Sequence, residues 1–213
     1  MTEFNQTKVV FHVHAVTQIH RISWDKIEKP SGMYQGLESQ ITGVVKINGE
    51  MILLLDFEKI VVDINPESGI NVESVKKLGT RERSEKKLVI AEDSPLLRKL
   101  LQETLNEAGF QYIEFFENGK DALSYLKSIV EAGKAIEDEV QLIITDIEMP
   151  QMDGHHLTRR IKDDPSLSIL PVIIFSSLIT NDLRHKGQMV GASEQISKPE
   201  ISTLVQNIDQ YVL

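Results

Sequence analysis

The chain has 213 residues, 41% hydrophobic and 26% charged, the composition of a globular protein with length for one or two domains. A formal net charge of −9 and a pI of about 5.2 argue against general binding to nucleic acid or anionic membranes, both of which favour cationic surfaces. With no cysteine there are no disulfides, thiolate metal sites or cysteine nucleophile, no apolar run reaches transmembrane length, and "MTEFNQTKVV" lacks the regions of a signal peptide, all of which fits a cytoplasmic protein without membrane insertion.

Residues 8 to 62 read mostly as strands. "KVVFHVHAV" places Val9, Phe11, Val13 and Ala15 on one parity, with His12 and His14 on the other. The two histidines share a strand face but lack an evident third metal ligand, and His20, beside Arg21, offers no chemistry. Trp24, the single tryptophan, reads as a packing residue. "ITGVVKINGEMILLLDF" is the clearest hairpin, because Asn48-Gly49 tolerates the positive φ angles of a two-residue turn. No ten-residue helical stripe interrupts this half. Residues 65 to 86 change character: polar, charged and punctuated by Pro66, Gly69 and Gly79, they read as a linker in which Ser74 to Leu78 could form a short helix.

From Lys87 strands and helices alternate. "KLVIAED" is a short buried strand. Ser94 can cap the following helix, Pro95 suits its first position, and Gly109 ends it. "YIEFFE" is the next strand, and Asn118-Gly119 leads into the helix "KDALSYLKSIV". "EAGKAIEDE" reads as a solvated loop. "QLIITD" and "PVIIFSS" are strands separated by the helical "LTRRIKD", and "RHKGQMVGA", "EQISK" and "ISTLVQNIDQYVL" complete helix, strand and helix. His155-His156 begins a helix, where neighbours do not share a face; both read as surface or partner-facing residues. Five βα units imply a flavodoxin-like, five-stranded parallel sheet covered by helices on both faces, with ligands at the carboxyl ends of its strands.

Those ends carry chemistry. Glu92 and Asp93 close the first strand of this half, Asp146 the third, Ser176 and Ser177 the fourth, and Lys198-Pro199 the fifth. Asp146 as a turn cap and Glu92-Asp93 as an acidic helix cap are the bland readings of the same residues. Gathered on one edge, three carboxylates repel and raise the pKa of at least one of them. A hard divalent cation relieves this, and the oxygen-rich set suits Mg²⁺. A lysine and a serine beside them could neutralise a transferring phosphoryl group while Asp146 attacks in line. Strand alternation decides which of Ser176 and Ser177 faces the site.

"EDS", "TDIEMPQMDG", "FSS" and "SKP" together resemble, in order and spacing, the motifs of response-regulator receiver domains. The resemblance implies Asp146 as phosphoacceptor, Mg²⁺ held by Glu92, Asp93, Asp146 and the backbone carbonyl of Glu148, Ser176 as switch hydroxyl and Lys198 as the family's lysine. One position departs: Gln195 stands where the family often has Tyr or Phe, which puts the usual aromatic switch in doubt. "VVFHVHAVTQIHRISWDKIEKP" followed by "ITGVVKINGEMILLLDFEKIV" resembles the later part of a CheW-type coupling domain. The resemblance implies a partial β-barrel over residues 1–64, a linker over 65–86 and a receiver over 87–213, the architecture of CheV-type chemotaxis proteins. The shortened β half suggests a fragment with strand edges open to partners.

The expectation is therefore an adaptor, not a conventional enzyme. Its receiver would accept a phosphoryl group from a CheA-type histidine kinase, and its β half would couple that kinase to chemoreceptor signalling tips at cytoplasmic arrays. No output module is seen after the last helix. The alternatives are a phosphate sink that drains kinase phosphoryl groups and, faintly suggested by Asp146-x-Glu148, a metal-dependent phosphohydrolase.

Overall fold

The aliphatic runs of the C-terminal half form one parallel sheet in the computed structural model, which describes residues 2–4, 7–23, 26–28, 40–64, 75, 82–198 and 200–212. The chain divides into two compact units, Met1–Gly69 and Ile70–Leu213. Trp24, Pro199 and, apart from Val75, the expected short helix at Ser74 to Leu78 lie outside the described residues.

In the first unit β1 (Thr2–Phe4) pairs antiparallel with β2 (Thr7–Val9), and β3 (Ile41–Ile47) with β4 (Glu50–Leu55). The expected hairpin is present. Asn48 at φ 52° and Gly49 at φ 84° make its turn, the left-handed pair that matches the twist of the flanking strands. Ile41, Val44 and Val45 are buried, and Glu28 bridges to Val44 through N–H···O bonds of 2.8 and 2.9 Å.

Two expectations fail here. The alternating "KVVFHVHAV" run leaves strand geometry after Val9, and Val10 and Val13 are exposed; alternation alone does not make a strand without a partner to pair with. "DFEKIVVDI" does not extend the hairpin, because α1 (Phe57–Ile64) follows it directly. The β-branched Ile60, Val61 and Val62 disguise that helix as strand.

The second unit holds, among the described residues, β5 (Ser84–Ala91), β6 (Phe110–Phe116), β7 (Leu142–Thr145), β8 (Val172–Ser176) and β9 (Glu194–Ser197) in the order β6-β5-β7-β8-β9. All four pairings are parallel. Between and after the strands run α2 (Pro95–Glu107), α3 (Gly119–Glu131), α4 (Ile136–Glu139), α5 (Gly154–Lys162), α6 (Asn181–Met189) and α7 (Ile201–Val212).

Strand alternation sorts the core into two layers. Leu88, Ile90, Leu142, Ile144, Ile173, Phe175 and Ile196 pack with α2 and α7. Val89, Ala91, Ile143 and Val172 pack with α3 and α5. Helices therefore cover both faces, as expected of a flavodoxin-like sheet. Ser94 caps α2 by accepting the Leu97 N–H at 3.4 Å, Pro95 opens it, and Gly109 at φ 96° ends it. The expected loop at "EAGKAIEDE" contains α4, because Ile136 and Val140 are buried in the second layer and draw the segment onto the protein. Val75, upstream of the first strand, is 1% exposed and belongs to the first layer.

Candidate functional site

The sheet's backbone ladder runs one residue past β5, β7 and β9 and so aligns the strand ends. The Glu92 N–H donates to the Phe116 carbonyl at 2.9 Å, the Asp146 N–H to the Ala91 carbonyl at 2.9 Å, and the Lys198 N–H to the Ser176 carbonyl at 3.2 Å. This brings Glu92, Asp93, Asp146 and Lys198 together. One carboxylate oxygen from each of Glu92, Asp93 and Asp146 lies within 4.8 Å of the others. Lys198 Nζ stands 2.8 Å from Glu92 Oε2 and 3.3 Å from Asp146 Oδ2. Glu92 and Lys198 are each 2% exposed at the side chain, whereas Asp146 is 11% exposed and open to an incoming group. Asp146 Oδ1 accepts the Ile147 N–H at 2.6 Å, and Glu92 Oε1 accepts the Ser94 N–H at 3.1 Å.

Glycine is required behind the aspartate. A Cβ at Gly154 would run into the carbonyl oxygen and carbon of Asp146, so only a residue without one lets α5 begin against this turn. Burial pushes the Glu92 carboxyl up to about 8; Lys198 opposes this, and the charges of Asp146 and Asp93 add to it. The raised acid expected from carboxylate repulsion is present, but removal from water is its first cause.

The donor set is all oxygen, as hard divalent cations prefer, and a carboxylate offers about four lone-pair positions, so Glu92 keeps acceptor capacity beside its two bonds. The residues present therefore fit Mg²⁺. Glu148 is exposed two residues beyond Asp146.

Ser176 is buried at the end of β8, in register with Ser197, and its Oγ accepts the Leu178 N–H at 3.3 Å. Ser177 is buried as well. Gln195 faces α6: its Nε2 donates to the Arg184 carbonyl at 2.8 Å, while its buried Oε1 has no hydrogen-bond partner. A Cβ at Gly187 would collide with that carboxamide, so Gln195 fills the room glycine leaves on α6.

One reading is corrected. His155 is 1% exposed, not a surface residue. Its Nε2 lies 3.3 Å from the Leu183 carbonyl oxygen, which can only accept, so the ring donates from Nε2. Burial, and then the charge of Lys186, lowers its pKa. His156 is exposed, as expected. The sequence reading also missed Arg98. Its Nη1 donates to the carbonyls of Glu92 at 2.7 Å and Asp93 at 2.9 Å, and its Nη2 pairs with Glu117 at 3.2 Å. Its signal was a cation in the first turn of a helix, where the helix dipole disfavours one.

Comparison with known proteins identifies relatives of both halves. Residues 88–209 match the family model of the response regulator receiver domain, and residues 1–65 that of the CheW-like domain. The chemotaxis protein CheV3 of Helicobacter pylori is 32% identical over 99% of the chain, and CheV1 of the same organism 24% identical over 99%. The chain spans 68% and 64% of those relatives' own lengths. Among solved structures, the phosphorylated cyanobacterial phytochrome response regulator RcpA is 25% identical, with a TM-score of 0.52 over 61% of this chain and 94% of that one. A putative response regulator from Chloroflexus aurantiacus, 22% identical with a TM-score of 0.52 over 61% of this chain and 98% of its own, shares the fold.

Proposed function

We infer the function from one premise: the chain belongs to the CheV-type chemotaxis proteins, in which a CheW-like domain is joined to a response regulator receiver domain. That is the architecture of a chemotaxis coupling adaptor with a phosphorylatable receiver, not of a conventional enzyme. Its domains are read as coupling module 1–64, linker 65–86 and receiver 87–213.

Asp146 is the phosphoacceptor. A carboxylate oxygen attacks phosphorus, the bond from phosphorus to the kinase histidine nitrogen breaks, that nitrogen keeps the electron pair, and an acyl phosphate forms on Asp146. Glu92, Asp93, Asp146 and the Glu148 carbonyl would hold Mg²⁺, which supplies charge neutralisation at the phosphoryl oxygens when bound. Lys198 offers a fixed ammonium to the same oxygens, and Ser176 a hydroxyl donor once it turns from the Leu178 N–H. The observation that carries this reading is the approach of Lys198 Nζ to both Asp146 and Glu92 within 3.3 Å, next to a third carboxylate.

The donor is a CheA-type histidine kinase, and the CheW-like half engages that kinase and the chemoreceptor signalling tips, at arrays in the cytoplasm. The match at residues 1–65 supports an adaptor over a phosphate sink or a phosphohydrolase, since neither activity needs a coupling module. Phosphorylation then biases docking.

Phosphotransfer from such a kinase to the wild type and to Asp146→Ala tests the site. Label is expected on the wild type and none on the variant; equal label on both would remove Asp146 from its role. Binding to receptor tips and kinase before and after phosphorylation tests the output, and identical affinities would count against regulation.

A further inference from the structure

We propose that Arg98 is a positioning residue for the divalent cation: its guanidinium holds the backbone of Glu92 and Asp93 in the geometry that their carboxylates need to bind metal. The proposal rests on the reading of this cluster as a cation site.

Three observations carry it. Arg98 binds the carbonyls of the two acidic residues themselves, at 2.7 and 2.9 Å through a single nitrogen, and so fixes the turn from β5 to α2 at the point where both side chains leave it. Its other terminal nitrogen reaches Glu117 at 3.2 Å, which ties that turn to the connection between β6 and α3. The side chain is only 17% exposed, whereas the next cation on the same helix, Lys99, is 75% exposed and pairs with Glu103 one turn on.

The charge is also out of place for helix stability alone. Arg98 follows Pro95 by three residues in the first turn of α2, where the backbone N–H groups disfavour a cation. The two carbonyls and Glu117 offset that cost. The guanidinium occupies backbone acceptors of the two acidic residues. A planar fork can serve two carbonyls and a carboxylate at once, and an ammonium cannot reproduce its geometry. Partners that orient metal ligands typically change metal affinity by about 10- to 100-fold when removed.

The test is Mg²⁺ titration of the full chain by calorimetry, together with labelling of Asp146 by acetyl phosphate at increasing Mg²⁺. In the labelling step the carboxylate takes the phosphoryl group and acetate leaves. Arg98→Ala should weaken Mg²⁺ binding by about tenfold or more. At saturating Mg²⁺ its labelling rate should return to that of the wild type, a split that a general loss of structure would not produce. Arg98→Lys should fall between the two. Wild-type Mg²⁺ affinity in Arg98→Ala overturns the proposal, as does a labelling rate that stays low at saturation. If Arg98→Ala fails to fold, Arg98→Lys and Glu117→Gln decide: weakened binding in both supports the proposal, and wild-type affinity in either overturns it. A wild type that binds no Mg²⁺ overturns the cation site itself, and the positioning role with it.

Discussion

Lys198 Nζ lies 2.8 Å from Glu92 Oε2, across 106 residues of sequence, with each side chain 2% exposed. The sheet makes this meeting, since β5 and β9 are separated by β7 and β8 and the contact is made only where their ends converge. Such a pair contributes little net stability when intact, because desolvation cancels most of the attraction. Removing one member is a different matter.

Lys198→Met should leave Glu92 and Asp146 facing one another without a cation. Above pH 8, where Glu92 ionises, the expected loss is about 3–5 kcal/mol. Toward acid the loss shrinks, because a protonated Glu92 no longer needs the ammonium. Urea unfolding of both proteins at two pH values measures this, and a loss independent of pH would show that the lysine acts through packing alone.

The raised Glu92 carboxyl sets a pH dependence of definite sign. Its folded pKa, about 8, exceeds the ordinary carboxylate value of 4.5. Between those values the folded protein holds a proton that the unfolded chain has lost. The contribution to stability is therefore complete below about 4.5 and lost as pH rises through about 8. Metal binding has the opposite trend, because the ion needs the ionised carboxylate. Mg²⁺ affinity should rise by up to about tenfold per pH unit as pH approaches 8. Glu92→Gln should bind more weakly and with a flat profile. Calorimetry in buffers of different ionisation enthalpy would count the proton released, and a count of zero for the wild type would contradict the shift.

Much of this site was legible because a parallel sheet obeys a simple rule. "KLVIAED", "QLIITD" and "PVIIFSS" are aliphatic on both parities since both faces of β5, β7 and β8 are covered, and ligand groups gather at the carboxyl ends. What stayed hidden depends on neighbours that no local pattern encodes. Val9 to Ala15 alternates like a strand, but among the described residues no strand pairs with it beyond Val9. His155 looks polar in sequence and is buried because α6 lies over it. Arg98 gives a local sign, a cation in the first turn of α2, but its partners are set by the fold, which brings the carbonyls of Glu92 and Asp93 within its reach.

Gln195 and Gly187 should show a reversal of sign. In the wild type, a methyl at Gly187 would strike the Gln195 carboxamide and dislodge it from the Arg184 carbonyl. Gly187→Ala alone should therefore cost about 1–2 kcal/mol. In a Gln195→Ala background the collision is gone, and the same substitution should stabilise by up to about 1 kcal/mol through helix propensity. Chemical denaturation of the four proteins closes the cycle. Additive effects would mean that the Gln195 carboxamide and a side chain at position 187 do not compete for the same space.

Val75 tests how far the receiver extends upstream. It is 1% exposed within the layer formed by α2, α7 and their strands, although the receiver match begins only at residue 88. A buried valine truncated to alanine loses two methyl groups from a packed layer and leaves a void. Val75→Ala should cost the second unit about 2 kcal/mol, read as faster amide hydrogen exchange in α2 and α7 of the full chain. Val13→Ala is the matched control: Val13 is 54% exposed, and its loss should stay within about 0.5 kcal/mol. If Val75→Ala leaves exchange in α2 and α7 at wild-type rates, the segment around Val75 is a tether rather than a part of the receiver core. If exchange rises as expected, Val75 belongs to the packed layer that α2 and α7 share with their strands.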